Sequence, residues 1–81
     1  MKLWLFTFTQ PDRCIVSARV AAPDRMEACA VIGAALSRPL VSQANTHPEP
    51  GTILVALGEI EADQSHVVSI LRIDGTVEVA Q

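Results

Sequence analysis

Residues 2–9 read Lys2-Leu3-Trp4-Leu5-Phe6-Thr7-Phe8-Thr9. Trp4, Phe6 and Phe8 recur at every second position, with Leu3, Leu5, Thr7 and Thr9 between them. Side chains of a strand alternate between its two faces, so this stretch predicts a strand with the aromatic face toward the core. Gln10-Pro11-Asp12-Arg13 follows as a turn, because proline presets φ and aspartate bonds its own backbone. Residues 14–21 alternate again, with Cys14, Val16, Ala18 and Val20 on one side and Ile15, Ser17, Arg19 and Ala21 on the other. Two such strands around a short loop predict a hairpin.

Pro23-Asp24 ends the second strand and opens a helix. Met26, Cys29, Ile32, Gly33 and Leu36 form a stripe at helical spacing, and Asp24 and Glu27 complement the positive N-terminal end of the dipole. Arg38 suits the other end, and Pro39 stops the helix. Residues 39–51 hold Pro39, Asn45, Pro48, Pro50 and Gly51 and read as one long loop.

Residues 52–62 carry Ile53, Val55 and Leu57 on one face, then Ile60 out of phase. One extra residue at Gly58 restores Ile60 to that face, taken as the core face, and turns Glu59 and Glu61 outward. Residues 66–73 predict a strand, although Val67, Ile70 and Leu71 also fit a helical stripe. Asp74-Gly75 predicts a type I′ hairpin into a last strand, Thr76–Ala80, with Val77 and Val79 inward. The expected fold class is α+β, in the order ββαβββ. It is a single domain over residues 1–81: a mostly antiparallel sheet of four to five strands with one helix packed on one face. The other face, with Leu3, Leu5, Ile15, Val68 and Ile70 as candidates, needs a cover.

Composition narrows the function classes. For 8.7 kDa, folding buries only about 60% of the chain's surface, so a partner or a homodimer is a fair expectation. The chain is 49% hydrophobic and too apolar for disorder. Three aromatic residues, none of them tyrosine, and a net charge of −3 argue against base stacking and phosphate binding, hence against direct nucleic-acid contact. The apolar opening is cut by Gln10-Pro11-Asp12-Arg13 before a signal-peptide core is complete, and no stretch approaches a membrane span. The expected location is the cytoplasm, with no membrane partner.

Candidate chemistry is thin. Cys14, Cys29, His47 and His66 are separated by 14, 17 and 18 residues, unlike the close pairs of zinc sites. Both cysteines are expected as reduced core residues. No cation adjoins Cys29 in a way that would activate it toward His66, and Gly33 lies inside a helix rather than in a phosphate loop. No catalytic residue, cofactor or metal is expected.

Charge is the feature that departs from an even spread. Residues 1–38 hold five basic and three acidic side chains, a net of +2; residues 39–81 hold one basic and six acidic, a net of −5. Glu59, Glu61 and Asp63 recur at every second position, with Glu49 in the preceding loop and Glu78 further on. Such a row is either an edge kept soluble by charge or a strip aimed at a basic groove.

The opening strand Lys2–Thr9, the helix Pro23–Ser37 and the acidic strip Glu59–Asp63 together resemble the small anti-CRISPR proteins of phages and prophages. Those that inhibit type I interference complexes, type I-C in particular, are the nearest in character. That group shares no motif, so the resemblance transfers no residue roles. It implies a non-enzymatic, stoichiometric inhibitor that binds the basic surface of a Cascade complex in the host cytoplasm and blocks target DNA. On that reading Glu49, Glu59, Glu61, Asp63 and Glu78 would form the binding surface. The alternative is a small dimerising regulatory or protein-binding module of the host.

Overall fold

A computed structural model of the chain describes residues 1–12, 14–37 and 51–79. The elements are β1 (Lys2–Asp12), β2 (Ile15–Ala22), α1 (Arg25–Leu36), β3 (Thr52–Glu59), β4 (His66–Arg72) and β5 (Val77–Val79). They build the expected α+β architecture: a five-stranded sheet in the order β3-β1-β2-β4-β5, antiparallel at every junction, with one helix. The alternating aromatics behave as read. Trp4, Phe6 and Phe8 are buried and pack with Ala18, Val20, Ala22 and Leu54 beneath α1, which lies over β2 and β4. The Trp4 indole N–H, which would otherwise be a buried unpaired donor, donates to the Ala22 carbonyl at 3.1 Å.

Helix α1 starts where the Asp24 carboxylate accepts the Glu27 backbone N–H at 2.8 Å. It ends at Ser37, whose N–H donates to the last-turn carbonyls of Gly33 and Ala34 and whose left-handed φ of 58° turns the backbone off the helix axis. Termination is therefore complete before Pro39, which lies outside the described residues. Cys29, Ile32, Gly33 and Leu36 are buried as expected, and Ala28 joins them. Met26 does not, being 51% exposed. At about 100° per residue it lies roughly 90° round the helix from the middle of the buried stripe.

Three further expectations are corrected. The first concerns β2: Ile15 pairs with Arg72 but Ser17 pairs with Leu71, so Val16 is an extra residue. The bulge reverses the alternation at that point, which puts Ile15 in the core and leaves Cys14 exposed in the turn at φ 66°. The second concerns β3, where the bulge at Gly58 is present but the faces are inverted. Leu3 pairs with Gly58 and Trp4 with Ala56, making Leu57 the extra residue, and Gly58 adopts φ 139°. Leu54, opposite Phe6, is the buried side chain, whereas Ile53, Val55 and Leu57 are exposed. Period-two spacing groups side chains by face, but the helix decides which face is covered, and it covers the aromatic one. The third concerns the last hairpin. Its loop is Ile73-Asp74-Gly75, closed by Gly75 N–H to the Arg72 carbonyl and Arg72 N–H to the Thr76 carbonyl, both 2.9 Å. Gly75 has φ 89° while Asp74 is not at positive φ, so the turn is not type I′. Val77 and Val79 point outward, 56% and 65% exposed.

Candidate functional site

The acidic segment begins where β3 ends. Ile60 continues the pairing of β3 with the start of the chain: its N–H donates to the Met1 carbonyl at 2.8 Å, and the Met1 ammonium donates to the Ile60 carbonyl at 3.1 Å. This anchors the backbone on which Glu59, Glu61 and Asp63 stand exposed, around a shallow depression also lined by Met1, Ile60 and Ala62. The strip is not wholly unneutralised. The Met1 ammonium lies 3.9 Å from the Glu59 carboxylate, and Lys2 is the cross-strand partner of Glu59. With Glu59 78% exposed, such a pair is worth little.

The remaining acidic candidates stand apart. Glu78 is on β5, at the opposite edge of the sheet from β3, and is already engaged: Arg72 Nε donates to its carboxylate at 2.9 Å. That bond holds the Glu78 carboxyl below its ordinary range and raises Arg72. Asp74 is held low as well, first by the Thr76 side-chain hydroxyl and next by its hydrogen bond from the Thr76 backbone N–H at 2.8 Å. Glu49 lies outside the described residues. The structure thus groups Glu59, Glu61 and Asp63 and separates Glu78 from them.

A second surface emerges from the ladder registers. With Trp4, Phe6 and Phe8 under α1, the intervening residues face away from it. One cross-strand row runs Val55, Leu5, Arg19, Ser69, Val79; the next runs Ile53, Thr7, Ser17, Leu71, Val77. Ile53, Val55, Leu71, Val77 and Val79 are all exposed. Of the sequence candidates for this face, Leu3 and Leu5 stand on it and are half-buried, whereas Ile15 is in the core and Ile70 packs against it. Val68 is the extra residue of a bulge in β4, between Val67 opposite Val20 and Ser69 opposite Arg19. The aliphatics of β3 and β5 were missed because their alternation was assigned to the core. The same alternation marks them as one face once the covered side is known.

Cys29 is buried, and desolvation pushes its thiol up from the usual cysteine range, with Arg25 opposing, so it stays protonated and weakly nucleophilic near neutral pH. Among the described residues no group of three or more His, Cys, Asp or Glu converges as metal ligands do, and no helix is long and apolar enough to cross a membrane. No family model matches the chain, and comparison with curated proteins and with solved structures gives no match either.

Proposed function

We propose that this chain is a non-enzymatic protein-binding module that acts by occupying a surface of a larger partner. The observation that supports it is the open sheet face, where aliphatic side chains from β3 and β5 stand in register with Leu5 and face solvent. Exposed aliphatic side chains gathered on one face in this way mark interaction surfaces on soluble proteins. The resemblance to small anti-CRISPR proteins supplies the partner: a type I interference complex in the host cytoplasm, prevented from binding target DNA by stoichiometric occupancy. The exposed Glu59, Glu61 and Asp63 favour that partner, since a complex that holds a phosphate backbone presents basic surface. The second reading, a dimerising or protein-binding module of the host cell, is favoured by the same open face in a domain this small.

A gel shift of purified type I-C Cascade on target duplex tests the reading. Wild-type protein is expected to abolish the shift at stoichiometric concentration. Val55→Asp/Val79→Asp is expected to lose inhibition through the apolar face. Glu59→Lys/Glu61→Lys/Asp63→Lys is expected to slow association on the order of ten-fold, as reversal of rim charges does. An unchanged shift with wild-type protein overturns the Cascade assignment. Full potency of the Val55/Val79 variant moves the interface off the open face.

A further inference from the structure

The open face is not uniformly apolar. Its middle strand, β2, places Ser17, Arg19 and Ala21 on it, with Thr7 and Ser69 beside them. Larger aliphatics rise on both sides, Leu5 and Val55 toward β3 and Val77 and Val79 on β5. A hollow of about 120 Å³ opens among Ser17, Arg19, Ser69, Leu71 and Val77. The floor is therefore low along the middle of the sheet. From β1 to β5 there are three strand spacings, about 14 Å. An α-helix with its side chains is about 10–12 Å across and fits such a trough.

Charge selects among occupants. Arg19 is exposed near the middle of β2, and the only other ionisable side chain that the ladders place on this face, among the described residues, is His66, opposite Ala21. No acidic side chain of the described residues is placed there by the ladders. A second copy stacked face to face about a two-fold axis would bring two guanidinium groups toward the centre with no carboxylate between them. Burying unpaired like charge is costly. A partner that brings its own carboxylate avoids this, and arginine at the middle of an apolar patch is a common anchor of interfaces.

Resting on the docking reading above, we propose that this trough takes an amphipathic helix of a partner protein, whose apolar stripe is interrupted by one Asp or Glu that pairs with Arg19. The aliphatic residues of that helix, at i, i+3, i+4 and i+7, contact the flanking walls. The α1 helix already covers the opposite face, so the bound state is a three-layer arrangement with the sheet in the middle.

The test needs no knowledge of the partner. A displayed library of amphipathic helices, randomised on one face, is selected against the immobilised wild-type protein and separately against Arg19→Glu. Wild-type protein is expected to enrich helices with an acidic residue within the apolar stripe, and Arg19→Glu to enrich lysine or arginine there instead. Binding of the selected helices is expected to fall at least about ten-fold on Val79→Asp, in keeping with loss of a buried apolar contact, with the variant's far-ultraviolet dichroism unchanged. Absence of binders, binders with no acidic preference, or binders indifferent to Arg19→Glu and Val79→Asp overturn the proposal. So does a stable wild-type dimer in sedimentation that Val79→Asp dissociates; in that case a second copy holds the face and the docking reading itself survives. A negative Cascade gel shift bears on the partner's identity and leaves this selection unaffected.

Discussion

Cys14 and Cys29 are the same residue in two different environments. Cys29 sits on the buried stripe of α1, and Cys14 in the β1–β2 turn, exposed, with a φ of 66°. Alternation from Val16 backward predicts Cys14 on the core side. The extra residue at Val16 breaks that phase, and nothing in the identity of a valine announces a bulge. The consequence is measurable with a thiol reagent on the native protein. One thiol is expected to react within the mixing phase and the second only on addition of denaturant. Cys14→Ser is expected to abolish the fast phase, and two fast thiols in the native protein would place Cys29 at the surface.

Strand β3 shows what an element's own pattern can and cannot say. The out-of-phase spacing of Ile53, Val55, Leu57 and then Ile60 marked an irregularity at Gly58, and the ladder contains one there. Its physical basis lies in the backbone, since φ 139° suits glycine and a Cβ added at that position would meet nothing within 4 Å. Gly58→Ala therefore tests conformation without steric conflict. It is expected to lower stability by about 1–3 kcal/mol, the range for a residue held in sparsely populated backbone space, measured by urea unfolding. A change below about 0.5 kcal/mol, the scatter of neutral surface substitutions, would show that the bulge relaxes freely. The Asp74-Gly75 signal located the β4–β5 hairpin equally well. It did not specify the turn type, because the loop takes in Ile73 and only Gly75 adopts positive φ.

For the whole molecule, the two faces of one sheet differ in what covers them. Phe6 is fully buried beneath α1, while Val79 on the other face is 65% exposed. Phe6→Ala is expected to cost about 3–5 kcal/mol, as removal of a large core side chain does. Val79→Ala is expected to stay within about 0.5 kcal/mol, having little burial to lose. Urea midpoints of the two variants check the assignment directly, and a large loss for Val79→Ala would mean that something already covers the open face.

The sequence by itself determined the element order, the aromatic face of β1, the buried stripe of α1 at Cys29, Ile32, Gly33 and Leu36, and the irregularity at Gly58. These are local properties: periodicity, capping chemistry and glycine's backbone freedom act within a few residues. The exposed row Glu59, Glu61, Asp63 was legible for the same reason. Only the tertiary structure decided that Ile53, Val55, Val77 and Val79 stand on the face away from α1, that Arg19 stands among them, and that Glu78 belongs to the far edge with Arg72. Each of those facts depends on strand order and on which side α1 packs. Strand order joins β2 to β4 and carries β3 to the opposite edge, and no local spacing encodes it.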